Sequence, residues 1–584
     1  MSGANHPHVD AEDRSFREDA GAFLVSPDCF SQEERGGPQG CLSYGRFVPF
    51  AFLAIILSAG LWLRMSNLTA ADFNIDEVLH AFAAQQLVEG NDAVLPSGLS
   101  YSRGLLYTKL VALAGAAGRI DEWAVRMPSV IFGSLTILLV FLIGRTFYSD
   151  AAGLVAASIT AVAPMQVAFS REGRMYAMFQ FFYLLFVFVF FLALESAPKM
   201  KVRGWIPVRW RNWCTTAGIS PLMFIAAAGA LVAAKHLHNL AVLAALGPAV
   251  YVLTMAGVGI CRRGVVRPWK YVALSLICIV SALTYARVTD AWTGYLWLRT
   301  YTPEWAANNT GDTYYVRALA TSFPVMLPGL LLTAAIAVTR NTKATLYLLI
   351  SFGVPLVLQS LFFTWKHERY ILHIIPLMFI LFGAGASWMT ALVYHSLRGW
   401  AGAKLHPAAA RLSAWTLTAF ATLFFLSFMP WARDGFAVPR RHAGTVAGVY
   451  HHNWRAATQY VSARLDPSEF VIASAPGLAR YYGVRAPMYY LANDTTDRHL
   501  EAGLKDQDGR PMDYIAGVPM VLHLQALEQI LRTYGSGWIV GERFRFQGSR
   551  PLPTDIVAFI ESHCRSEEVP DARTMMVWHC GGAQ

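Results

Sequence analysis

The chain has 584 residues, of which 55% are hydrophobic, 13% aromatic and only 15% charged, and its formal net charge is +10. Soluble domains carry roughly 25% charged residues, so this composition excludes an ordinary soluble domain and points to a membrane. In a soluble chain the positive balance would suggest a nucleic-acid partner, but the placement of the charges here argues against one.

Residues 1–45 are polar, rich in glycine and acids, and lack the basic-then-apolar order of a cleavable signal peptide; they read as a cytoplasmic tail. Runs of about 20 apolar residues each suffice to cross a hydrocarbon core about 30 Å thick. Eleven follow, at about 46–65, 127–146, 151–169, 176–194, 219–235, 239–258, 271–288, 320–338, 344–363, 371–393 and 413–430, which defines an expected transmembrane unit over 46–430. Lys and Arg gather in alternate connections. Arg145 follows the second run, Lys199, Lys201, Arg203, Arg209 and Arg211 the fourth, and Arg262, Arg263, Arg267 and Lys270 the sixth. Arg340 and Lys343 follow the eighth, and Arg398, Lys404 and Arg411 the tenth. Basic residues stay on the cytoplasmic side, so the N-terminus is expected inside and everything after Trp431 outside.

With that topology, polar residues collect on the outer face. The first external loop holds Asp76, Glu77, Tyr101, Arg103, Tyr107, Lys109 and Arg126. The third connection reads "FSREGRMYAM", with Arg171, Glu172, Arg174 and Tyr176; the fifth reads "KHLHN", with Lys235, His236 and His238. The seventh is strewn with aromatics from Trp292 to Tyr315, and the ninth, "TWKHERYIL", carries Lys366, His367, Glu368, Arg369 and Tyr370. Aromatics at span ends commonly form an interfacial belt, and single Lys or Arg residues there commonly snorkel to head groups. Simple turns, however, have no need of so many ionisable groups, and charges near membrane depth mark functional sites.

Carboxylates beside several Arg and Lys at a bilayer surface suit a phosphorylated lipid. Guanidinium groups pair bidentately with phosphate oxygens, and a carboxylate can take a proton from an attacking hydroxyl. If 74–88 is helical, Asp76, Glu77 and His80 fall on neighbouring turns, and "LHAFAAQQLV" has the spacing of an amphipathic helix lying in the interface. The plainer reading is that "DE" caps the helix, for which Glu77 is the better fit.

"NIDEVLHAFAAQQLVEG", "YSRGLLYTKLVALAG", "DEWAVRMPSVIFGSLTILLVFLIGR", "VAFSREGRMYAMFQFF" and "KHERYILHIIPLMFILFGAG", in that order over about 45–430, resemble the membrane glycosyltransferases of the GT-C type. The bacterial branch related to protein O-mannosyltransferases and aminoarabinose transferases is the most similar. The resemblance implies a polytopic α-helical protein of about 11 transmembrane helices in the cytoplasmic (inner) membrane. It implies a polyprenyl-phosphate sugar donor, inversion at the anomeric carbon, and a glycan, lipid or protein acceptor. Asp76 matches the family's catalytic acid and would be the general base, with Glu77 and Glu172 the other acids of the site. Arg103, Lys109, Arg126, Arg174, Tyr176, His238, Lys366, Arg369 and Tyr370 form the pool for donor phosphate and lipid contacts. The chain departs from its relatives in reading "YSRGLLYTK" where many have Tyr-x-x-Lys-Pro-Pro, so Arg103 or Lys109 would take that lysine's role. The oxygen ligands for a hard cation are thin, and we expect no metal or other cofactor.

Residues 431–584 change character. "FVIASA", "GWIVGERF" and "TMMVWHC" read as strands, and "RAATQYVSARL", "ALEQILRTYG" and "DIVAFIESH" as helices, which suggests a small external α/β domain. Acceptor binding or packing over the membrane site are its expected roles. The seven cysteines show no metal-binding spacing; Cys564 and Cys580 both fall where a disulfide is chemically allowed. A transporter or flippase, and a non-catalytic envelope-assembly partner, remain the rival functions. The apolar middles of the spans argue against the first.

Overall fold

A computed structural model of the chain describes residues 44–116, 118–195, 218–261, 268–288, 311–364, 366–401, 422, 430–440, 444–446, 449–492, 503–547 and 552–581. The eleventh apolar run, the aromatics from Trp292 to Trp305, the basic loop 199–211 and most of the N-terminal tail lie outside the described residues.

The first ten apolar runs all fall on helices. These are α1 (Tyr44–Met65), α4 (Glu122–Phe147), α5 (Asp150–Val162) with α6 (Pro164–Arg171), α7 (Tyr176–Glu195), α8 (Pro221–Leu237), α9 (Ala241–Cys261), α10 (Pro268–Val288), α11 (Tyr314–Ser322) with α12 (Met326–Arg340), α13 (Thr342–Phe362) and α14 (Ile375–Ala401). Between α1 and α4 lie α2 (Ile75–Val88) and α3 (Leu105–Gly115). Seven of the described helices are long and apolar enough to span alone, and up to nine spans result if each bent pair counts as one. The chain is a multi-pass membrane protein. The runs 151–169 and 320–338, expected as single spans, are broken by bends of 58° and 90°. Proline explains both: it lacks an N–H and its ring clashes with the preceding turn, and Pro164 and Pro324 sit at the breaks. Continuous apolarity concealed them.

Close helix packing uses small residues. A Cβ on Gly144 would lie 2.7 Å from the Gly153 Cα, so α4 and α5 meet backbone to backbone.

After α15 (Pro430–Ala437) and an antiparallel pair of short strands, β1 (Gly444–Val446) and β2 (Val449–His451), the C-terminal region forms a six-stranded sheet of order β5-β4-β3-β6-β8-β7. Its strands are β3 (Phe470–Ala473), β4 (Met488–Leu491), β5 (Met520–Val521), β6 (Gly537–Glu542), β7 (Cys564–Glu567) and β8 (Met575–Cys580). β3 is parallel to β4 and β6, β5 is parallel to β4, and β7 and β8 close one edge antiparallel. Cys564 and Cys580 are joined by a disulfide across that edge. Alternation along β3 sets what each face does. Phe470 and Ile472 join a core with Leu527, Ile556 and Ile560 of the domain's own helices. Val471 and Ala473 face the other way, into a core continuous with Phe73, Val78 and Phe82 of the membrane unit. One face of the sheet therefore rests, through α16 (Trp454–Ser462) and α17 (Pro476–Tyr481), on the segment that carries Asp76.

Candidate active site

The chain between α1 and α2 is an irregular strap, and its carbonyls need donors. Two guanidinium groups, of half-buried Arg171 and buried Arg126, supply them. Arg171 Nη1 donates to the carbonyls of Leu63, Arg64 and Ser66 at 3.1, 3.0 and 2.6 Å, closing the end of α1. Arg126 Nη1 donates to Leu68 and Ala71 at 2.7 and 2.8 Å, and Nη2 to Asp72 at 3.1 Å. A capping box starts α2: the Asn74 side chain accepts the Glu77 N–H at 2.9 Å and Glu77 Oε2 accepts the Asn74 N–H at 3.1 Å. Glu77 is fully buried and also takes both Arg126 Nε and Nη2, at 2.9 and 2.8 Å, and the Gly173 N–H at 2.6 Å. A side chain at Gly173 would strike Val125 and Glu77, so glycine is required there. Glu77 thus ties three elements together and has little capacity left for a substrate.

Asp76, one residue earlier, points the other way and is 33% exposed. Its Oδ2 lies 3.2 Å from Arg369 Nη1 and 3.7 Å from Arg174 Nη2. Arg174 comes from the turn between α6 and α7, and its Nη1 also donates to the Asp76 carbonyl at 2.9 Å. Arg369 comes from a short 3₁₀ turn, Glu368–Tyr370, ahead of α14. Both guanidinium groups lie over the Tyr176 ring, at 5.8 and 5.7 Å from its centroid. Burial pushes the Asp76 carboxyl upward, but Arg174, Arg369 and Arg103 overcome this and hold it well below the usual carboxylate range. Asp76 is therefore ionised throughout the physiological range.

Glu172 is the contrasting acid. It is 5% exposed; among the described residues its Oε1 has only a long contact of 3.4 Å from Asn74 Nδ2, and its Oε2 has no partner. Burial and then the charge of Glu77 push it up to about 8, so it is protonated at neutral pH. His80 is buried between Thr108 Oγ1 at 2.9 Å and the Tyr101 hydroxyl at 3.4 Å, and burial keeps it neutral. Among the described residues, no group of three or more His, Cys, Asp and Glu is placed to hold a metal ion.

A family model described as dolichyl-phosphate-mannose-protein mannosyltransferase matches residues 107–286. No curated protein matches the sequence. Among solved structures, ArnT from Cupriavidus metallidurans in the apo state superposes with a TM-score of 0.56 at 15% identity, covering 93% of this chain and 100% of that one. The same protein bound to undecaprenyl phosphate gives 0.54 at 15% identity, with the same coverage. The archaeal oligosaccharyltransferase AglB from Archaeoglobus fulgidus, in complex with an inhibitory peptide and a dolichol-phosphate, gives 0.52 at 14% identity, covering 86% of this chain and 70% of that one. The chain has the GT-C fold.

Within the GT-C fold of this chain, the residues singled out from sequence separate into groups. Asp76, Arg174, Tyr176 and Arg369 converge, and Arg103, exposed on the turn before α3, lies close enough to act on the Asp76 charge. Tyr370 is adjacent, with Arg369 over its ring at 5.3 Å. His238 packs beside Tyr176, Phe179 and Tyr370 at 5.7, 5.5 and 6.1 Å between ring centroids. Burial, then Arg174, Arg369 and Arg103, bring the His238 ring down to about 3, so it is neutral. Arg126 is occupied by Glu77 and the strap. Lys366 is buried and donates to the Phe363 carbonyl at 2.8 Å. Lys109 is exposed on α3 and makes no ion pair among the described residues. Helix α2 is not the interfacial amphipathic helix expected from its pattern. Glu77 through Ala84 are all buried, because its apolar residues face α3 on one side and α17 on the other. Sequence reading missed Asp72, Glu122, Arg455 and Tyr482, which join the strap to the α/β domain. Their separation in the chain leaves no local signal.

Proposed function

We propose that this protein is a glycosyltransferase that takes a sugar from a polyprenyl-phosphate-linked donor and passes it to an acceptor hydroxyl at the outer face of the cytoplasmic membrane. The observation that carries the reading is Asp76: one ionised, partly exposed carboxylate beside two guanidinium groups that lie over one aromatic ring, at one end of a GT-C bundle. The donor class is supported by the undecaprenyl phosphate and dolichol-phosphate named with the structural neighbours. The basic connections on alternate sides of the bundle support the orientation.

The chemistry balances as a single displacement. Asp76 takes the proton from the acceptor hydroxyl as its oxygen bonds to the anomeric carbon. The bond from that carbon to the phosphate oxygen breaks, and the electron pair leaves on the phosphate. Arg174 and Arg369, with Arg103 at the rim, take up the developing negative charge, so we assign no step to a metal. Attack from the face opposite the leaving phosphate inverts the anomeric centre.

The test is mass spectrometry of polyprenyl-phosphate lipids from cells carrying the wild type or Asp76→Asn at equal expression. A sugar-loaded lipid that builds up in the variant supports transfer and identifies the donor. Identical lipid profiles, with function retained, would sink the role given to Asp76.

A further inference from the structure

The strap that leads to Asp76 is gripped from the C-terminal domain immediately ahead of α2. Asp72 Oδ2 accepts the backbone N–H of Arg455 at 2.8 Å, and the Asp72 carbonyl lies 2.8 Å from His451 Nδ1. The Arg455 guanidinium reaches Asp72 Oδ1 at 3.5 Å and pairs with Glu122, the first residue of α4. The Tyr482 hydroxyl accepts the Phe73 N–H at 2.7 Å and donates to the same Glu122 oxygen at 2.8 Å. Arg455 covers the Tyr482 ring at 5.5 Å, and the fully buried Phe73 ring packs against Tyr481 at 4.9 Å.

These contacts bear on a short piece of backbone. Residues 72 and 73 precede the Asn74 cap, and Asp76 follows in the first turn of α2. From the membrane side Arg126 holds the Asp72 carbonyl, and Glu77 holds the N–H of the cap residue, Asn74. The strap is irregular and has no ladder of its own to fix its course, so the clamp from the other side decides where α2 begins. Arg369 comes from a separate element, and Arg174 comes from another that meets α2 through the Asp76 carbonyl.

We propose that the α/β domain is a working part of the transfer site, with Arg455 and Tyr482 as positioning residues that clamp residues 72–73 and so place Asp76. The proposal rests on the reading of Asp76 as the base. A displacement of about 1 Å at a reacting group costs on the order of a hundredfold in rate.

The experiment uses the full chain in lipid nanodiscs and in cells, as wild type, Arg455→Ala, Arg455→Lys and Tyr482→Phe. Undecaprenyl phosphate is the binding probe, accumulation of sugar-loaded polyprenyl phosphate reads transfer, and amide hydrogen exchange reads order at 72–78 and 172–178. We expect Arg455→Ala to bind the probe within about threefold of wild type, yet to lose transfer by roughly ten- to a hundredfold. Exchange should rise most at 72–78 and less at 172–178, where the Gly173 N–H is bonded to Glu77, and Arg455→Lys should recover much of the transfer. Tyr482→Phe, which removes one hydroxyl, should show the same pattern more weakly and covers the case in which Arg455→Ala does not fold. Wild-type transfer and exchange in both variants would overturn the proposal, as would equal losses of binding and transfer. Failure of the wild type to bind undecaprenyl phosphate strikes the donor reading instead, and the clamp is then judged on exchange alone.

Discussion

Replacing Asp76 by asparagine keeps the shape of the side chain and removes its charge. In the unliganded protein that charge occupies the guanidinium groups to which a lipid phosphate would bind, with Oδ2 at 3.2 Å from Arg369 and 3.7 Å from Arg174. At such separations and an effective dielectric near 20, each pair is worth roughly 4 kcal/mol before screening. Asp76 is 33% exposed, so solvent reduces the contribution to about 1 kcal/mol per pair. A phosphate competing for both arginines, and repelled by the carboxylate, should therefore gain about 1–2 kcal/mol when the charge is removed. Each 1.4 kcal/mol is about tenfold in Kd. Asp76→Asn should thus bind undecaprenyl phosphate roughly tenfold more tightly while losing transfer, measured by equilibrium binding in nanodiscs at low salt. Weaker binding in the variant would refute the reasoning, because it would mean that Asp76 supports the phosphate site rather than competing for it.

Other variants probe the neighbouring acids and the domain. Glu77→Gln leaves the Arg126 charge buried without its partner, which typically costs about 3–5 kcal/mol, so a marked loss of thermal stability or of folded yield is expected. Glu172 has its ordinary value of 4.5 raised to about 8 by burial and by Glu77. The unfolded chain releases that proton near 4.5 while the folded chain keeps it to about 8, so stability should fall as pH rises through this window. Glu172→Gln should flatten that slope in melting curves taken across the window; a slope equal to that of the wild type would show that Glu172 ionises normally. Opening the Cys564–Cys580 bridge, which closes a separation of 16 residues, should lower the stability of the α/β domain by up to about 3 kcal/mol, seen as an earlier melt of Cys580→Ser.

Much of the bundle was legible in the sequence because crossing a membrane imposes a long apolar run on each helix. The first ten runs are helical for that reason. Strands β3, β6 and β8 were legible as short apolar runs, whereas β4, β5 and β7 were not: β5 is only two residues long, and β7 is largely exposed. The breaks at Pro164 and Pro324 were written in the sequence and masked by the hydrophobic residues around them.

The chain by itself determined which residue types could do the chemistry: a "DE" pair, "SREGRMY" and "KHERY" in short connections dense with charge. Only the tertiary structure decided how those groups divide. Asp76 and Glu77 are neighbours in sequence, yet about 100° of helical rotation separates their side chains. One therefore faces Arg174 and Arg369 at the open site, and the other is sealed against Arg126. Arg455 and Tyr482, far along the chain, meet the strap only because one face of the α/β sheet is buried on it. Charge pairing and burial depend on distance in space, which spacing along the chain does not encode.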